Sequence, residues 1–234
     1  MELKRPDEVS WRYPYTVFRS SILYNLIPFA IFVSIAGLLV FLYLKKGFPV
    51  AMLIVSEAVI LLFGLIFLGP LRKSFTSVNW LMRTEIENVF IKIRSYLNSH
   101  LPAEDKQIIE LEYSEIKWVR QTRVKMISSN RKGGQTISFQ KYIDICFNEE
   151  IPEEIKEAVE KEKTVEDSAK NKIRSKWHDY PVSMKDGNML RIRFTGITPS
   201  AAKAVELFGE RGVLVQQKNY EIKDTTGSRL LPHC

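Results

Sequence analysis

A chain of 234 residues, 45% hydrophobic and 26% charged, has enough material for one ordinary domain and a small additional part. Its formal net charge of +7 divides as +1 over 1–21, +1 over 22–70 and +5 over 71–234, so no segment carries concentrated basic charge and a nucleic-acid partner is not expected. Two cysteines, Cys146 and Cys234, with no CxxC pair and no Cys/His ligand spacing, support neither a disulfide framework nor a metal site, and no cofactor is expected.

Residues 1–21 carry Lys4, Arg5, Arg12 and Arg19 and read as a cytoplasmic juxtamembrane segment. Residues 22–70 contain only Lys45, Lys46 and Glu57 as charged side chains. Within them "LIPFAIFVSIAGLLVFLYL", 26–44, is uncharged, and as a helix it would measure about 29 Å, matching a ~30 Å hydrocarbon core. A second run covers 50–68, and "KKGFP" between them supplies a reversal. The expectation is a transmembrane hairpin of two antiparallel helices. The first run exceeds a signal-peptide core and no cleavage site follows it. Flanking cations place both termini in the cytoplasm, which gives a multi-pass protein of the cell membrane.

Glu57 lies inside the second run, where an ionisable group costs about 2.5–3.5 kcal/mol. It requires protonation, a partner or water. In the expected hairpin Tyr43 reaches toward it, with Ser34 and Ser56 as further intramembrane polar groups. Such a carboxyl either fixes helix packing or handles protons in a multi-copy pathway.

Residues 71–150 are expected to hold an amphipathic helix followed by antiparallel strands. Val78, Met82, Ile86, Val89, Ile93 and Leu97 recur three or four apart, which predicts the helix. From 107 the period becomes two: Ile109, Leu111 and Tyr113, then Ile116, Trp118, Val124 and Met126, then Ile137, Phe139, Ile143, Ile145 and Phe147. These read as strands with one buried face. The hairpin between them carries "RKGG", and Arg131, Lys132, Gly133 and Gly134 form a candidate anion-binding loop, although a plain hairpin also explains the glycines.

Residues 151–176 read as a charged helix with an Ile155/Val159 stripe and a connector. In 177–224 Asp186-Gly187 turns a hairpin bearing Leu190, Ile192 and Phe194. Thr198-Pro199 opens a helix ending by Gly212, and "VLVQQKNYEI" makes a following strand, so a parallel crossover is expected. Residues 225–234 form a tail. The fold class is therefore a two-helix transmembrane hairpin plus a cytoplasmic α+β domain with a mixed, largely antiparallel sheet.

The hairpin followed by strands around "ELEYSEIKWVR", with Tyr113-x-x-Ile116 turning between strand segments, resembles bacterial and archaeal membrane proteins with a pleckstrin-homology-like domain over residues 107–147. That resemblance implies a membrane-associated interaction module and assigns no ligand residues. A strand after the last helix departs from it. No nucleophile–base pair, dinucleotide fingerprint or zinc-protease motif occurs. The function expected from sequence is thus a membrane anchor or scaffold presenting a cytoplasmic interaction domain. The alternative is an oligomeric channel or transporter component using Glu57. Expected partners are the lipid bilayer, further copies of the chain and a cytoplasmic protein.

Overall fold

The computed structural model of the chain describes residues 1–10, 12–47, 50, 54–58, 60–61, 71–72, 75–95, 106–129, 134–164 and 180–224. Their contacts divide into two units, Met1–Arg19 with Trp80–Cys234, and Ser20–Asn79. Two six-stranded sheets account for most of the first unit.

The first sheet takes β1 (Glu2–Lys4), β2 (Thr16–Ser20), β3 (Met82–Thr84), β4 (Asn88–Lys92), β5 (Ile108–Glu112) and β10 (Ile197–Thr198) in the order β1-β5-β4-β3-β2-β10. Register aligns Leu3, Ile109, Ile91, Met82 and Phe18 in one row across five strands. All five are buried. Such cross-strand rows are the unit of sheet stability.

In the second sheet β6 (Ile116–Ser129) and β7 (Gln135–Phe147) form a long hairpin, extended by β9 (Met189–Arg193) and β8 (Val182–Asp186). On the other edge β11 (Leu214–Val215) and β12 (Asn219–Asp224) both pair parallel to β6. Val119, Ile145 and Leu190 share one buried row, with Ile143 and Ile192 in the next. Phe194 meets Phe18 edge to face at 5.6 Å between ring centroids and ties the two sheets into one core.

Helix α2 (Glu153–Thr164) buries Ile155 and Val159 in that core. Helix α3 (Ala201–Glu210) buries Ala204, Val205 and Phe208. Its cap is Ser200, whose hydroxyl accepts from Lys203 N–H at 3.4 Å; Thr198, the expected cap, belongs to β10.

The expected helix over 78–97 is corrected by β3 and β4, which pair antiparallel. Val89, Phe90 and Ile91 are buried on both sides of the sheet. One side joins the main core, and the other packs Val9, Trp80, Phe90 and Ile108 into a second cluster. There Arg83 Nη2 donates to Ser10 O at 2.9 Å. A strand buried on both faces loses its two-residue alternation, which is how a helical spacing arose in its sequence.

In the second unit α1 (Ile22–Lys46) ends at Gly47, whose left-handed φ of 65° lets its N–H donate to Tyr43 O at 3.1 Å. Asn79 closes the unit's ends by accepting from Ser20 N–H at 3.1 Å and donating to Ser20 O at 3.2 Å. Leu23, Ile27, Ile31, Leu38, Phe41 and Leu44 are exposed around α1.

Among the described residues no helix is long and apolar enough to cross a membrane. This corrects the transmembrane hairpin of 26–44 and 50–68 and the multi-pass cell-membrane localisation. Of the second run only 50, 54–58 and 60–61 are described, as helix. The anchor and channel readings lose the spans on which they rested. What stands in place of the expected fold class is a mostly β unit of two sheets with helices packed on their shared core.

Candidate functional site

The β6–β7 hairpin outruns the rest of its sheet. β9 covers β7 only from Tyr142 to Cys146, whereas the hairpin ladder continues to Ser129↔Gln135. On the other flank β12 pairs with β6 from Thr122 to Ile127. Three strands, β12, β6 and β7, therefore project past the core.

Side chains alternate across a sheet, so residues in register on one face form rows. Continuing the core face outward, one row is Tyr220, Arg123 and Lys141, and the next is Ile222, Lys125 and Phe139. In the last row Ile127 and Ile137 stand in register with Asp224. The same face that buries Ile143 and Ile145 leaves Ile137 51%, Phe139 50%, Tyr220 70% and Ile222 73% exposed. Arg123 lies over the Phe139 ring, 4.3 Å from its centroid. With strands about 4.8 Å apart and rows about 6.8 Å apart, the platform measures roughly 10 by 14 Å between backbone positions. It combines exposed apolar side chains with three cations in two adjacent rows.

The opposite face of these strands carries a network of charges. Asp144, fully buried, accepts from Arg191 Nε at 2.7 Å, Arg191 Nη2 at 2.9 Å, Thr122 Oγ1 at 2.8 Å and Arg120 Nε at 3.2 Å. Burial alone would raise the Asp144 carboxyl, but the hydrogen bonds from Arg191, Thr122 and Arg120 outweigh it and hold its pKa below the usual carboxylate value. Arg191 also donates to both oxygens of Glu221, at 2.7 and 2.8 Å, and Lys185 Nζ adds a contact of 2.5 Å. Hydrogen bonding by Arg191, partly offset by burial and reinforced by Lys185, pushes Glu221 down to about 2.

A cleft of about 410 Å³ lies beside α2, lined by residues that include Ile93, Arg94, Lys106, Glu154, Lys161 and Glu162. Arg94 and Glu162 form a buried ion pair at 2.9 Å, and Lys106 pairs with Glu154 at 2.8 Å. These pairs consume charge of both signs within the cleft and join α2 to the first sheet. They are explained by packing.

The residues singled out from sequence lie elsewhere. Arg131, Lys132 and Gly133 fall outside the described residues, and Gly134 is exposed just before β7. Ser34 Oγ donates to Ala30 O within its own helix at 2.9 Å. Glu57 Oε1 is buried without a hydrogen-bond partner among the described residues, so the expected Tyr43 phenol does not reach that oxygen. Ser56 is half-buried next to Glu57. No group of three or more His, Cys, Asp or Glu able to hold a metal ion occurs among the described residues, and Cys146 is a buried free thiol whose pKa burial raises.

The sequence reading missed the platform because Ile137 and Phe139 continue the alternation of Ile143, Ile145 and Phe147. The available signal was Lys141 at a position of core parity, since charged side chains are almost never fully buried unless paired. Arg123 and Lys125 fell on the expected polar face of β6, because its buried face was expected to be Ile116, Trp118, Val124 and Met126; a register shift between Ile116 and Trp118 instead puts Val119, Arg123 and Lys125 on the core face, opposite Ile145, Lys141 and Phe139. No protein-family model, no curated protein and no solved structure matches the chain.

Proposed function

We propose that this protein is a recognition module whose β12–β6–β7 platform seats an acidic, amphipathic helical segment of a partner protein. The observation that carries the reading is the row structure itself. Tyr220, Ile222, Phe139 and Ile137 are exposed beside Arg123, Lys125 and Lys141.

Four large side chains exposed by half or more, at ~200 Å² each, present on the order of 400–500 Å² of surface. Exposed apolar patches of that size mark interaction sites. A helix about 10 Å across matches the platform's width. Carboxylates at i and i+4 of such a helix stand about 6 Å apart, close to the ~6.8 Å between Arg123 and Lys125. Isoleucines on the platform favour aliphatic partner side chains, and Arg123 already occupies a face of Phe139. Both features favour a helix over stacked bases. The small area implies a transient, micromolar complex.

The test is fluorescence anisotropy with the full chain and an amphipathic peptide of about 18 residues, five turns, bearing glutamates at i,i+4 beside a leucine stripe. Its lysine-for-glutamate counterpart and a short oligothymidylate serve as competitors. Binding of the acidic peptide at micromolar concentration, at least tenfold tighter than either competitor, supports the reading. Tighter binding of the oligothymidylate, or no saturation by the acidic peptide, overturns it.

A further inference from the structure

The platform's outer strand is held in an unusual way. β9, on the other side of the hairpin, buries Met189, Leu190 and Ile192. In β12 none of the described side chains is buried: Asn219 and Glu221 are partly covered, and Tyr220, Ile222 and Lys223 are exposed. The preceding chain is anchored through buried Val213 and through Gln216 N–H donating to Val119 O at 2.9 Å. Beyond Gln216 apolar burial contributes little.

What joins β12 to the sheet, apart from its backbone ladder with β6, converges on one side chain. Glu221 receives both Arg191 bonds and the Lys185 contact, while Asn219 Nδ2, on β12 itself, donates to the same carboxylate at 3.1 Å and orients it within the strand. Arg191 is itself fixed by two bonds to buried Asp144. The guanidinium thus spans from the sheet's centre to its edge strand, on the face opposite Tyr220 and Ile222.

We infer that β12 is a charge-latched strand: Arg191, anchored on Asp144, grips Glu221 and thereby determines whether Tyr220 and Ile222 stand in the platform. This rests on the platform being a binding surface and adds how that surface is assembled. Arg191 and Glu221 are positioning residues, since they act on the partner only through β12. Because Glu221 and Lys185 keep solvent contact, salt weakens the latch while the buried core is little affected. The platform's apolar half is present at low ionic strength and withdraws as salt rises. A competing anion at Arg191 would act in the same direction.

Hydrogen exchange by mass spectrometry on the full chain tests this, with Glu221→Gln as the perturbation and Lys223→Gln as a charge control on the same strand. Glu221→Gln should speed exchange of the 219–224 amides about tenfold, with the amides of 143–147 unchanged. Lys223→Gln should leave both segments as in the unmodified protein. Raising KCl from about 20 to 500 mM should reproduce the Glu221→Gln pattern, and affinity for the acidic peptide should fall in parallel with the loosening.

Unchanged protection of 219–224 in Glu221→Gln overturns the latch. Loosening of β12 with undiminished peptide binding overturns the link between latch and platform. Loosening of β12 in a protein that never binds the peptide supports the latch and rejects the recognition reading, so the two failures are distinguishable.

Discussion

Replacing Asp144 with asparagine tests the electrostatic account of the second sheet most severely. The carboxylate is fully buried and accepts four hydrogen bonds, three of them from guanidinium N–H groups. An asparagine oxygen left facing Arg191 Nε places its amide NH₂ where Oδ2 had received Arg191 Nη2, Arg120 Nε and Thr122. The hydroxyl can rotate to accept. The two guanidinium donors cannot, so two charge-assisted bonds are lost, at about 1.5–3 kcal/mol each. Arg120 and Arg191 keep a solvent-facing edge and water recovers part of the loss. The expected cost is therefore about 3 kcal/mol at pH 7, a large share of a typical 5–15 kcal/mol. Urea denaturation should show a midpoint lowered by about 1–2 M with an unchanged slope.

The same experiment repeated in acid checks the sign. Asp144 has a folded-state pKa below its unfolded value of about 3.9. Its contribution is fully present above that unfolded value and is lost as pH falls through the depressed one. The unmodified protein and Asp144→Asn should therefore converge in stability as pH is lowered progressively below that unfolded value. A difference under about 1 kcal/mol at pH 7, or one that persists undiminished in acid, would refute the reasoning.

On the platform, Phe139→Ala should change stability by less than about 0.5 kcal/mol, because half of the ring is in solvent. It should weaken the acidic peptide about five- to thirtyfold in the anisotropy assay. Phe194→Ala should do the reverse, costing about 3–5 kcal/mol in urea denaturation, since its buried ring joins the two sheets against Phe18. Peptide affinity per folded molecule should be unchanged.

The strands from 107 onward were legible as strands because one face is core and the other largely polar, but the facing of β6 was not: a register shift between Ile116 and Trp118 puts Val119 on the core face and Trp118, Val124 and Met126 on the other. β3 and β4 were not legible as strands, since Val9 and Trp80 cover their second face and remove the polar half of the pattern. The cationic platform positions were visible as letters but not as a surface. Alternation reports which face a residue occupies, and only the lengths of neighbouring strands decide where on that face the core stops. β9 ends opposite Tyr142, and that length depends on a separate stretch of chain. The Arg191 latch was hidden for a related reason, because Asp144, Arg191 and Glu221 come together only through pairings remote in sequence. Apolar length in 22–70 was plain in the composition, yet among the described residues no helix meets the requirements of a span.

The central claim, that the platform selects an acidic helical segment by charge and apolar contact, is tested most directly by a charge swap. Arg123→Glu/Lys125→Glu in the full chain should abolish binding of the acidic peptide and create binding of its lysine-for-glutamate counterpart, both read by anisotropy. Acidic-peptide binding that survives the double reversal, or a reversed protein that gains no affinity for the basic peptide, would contradict the account.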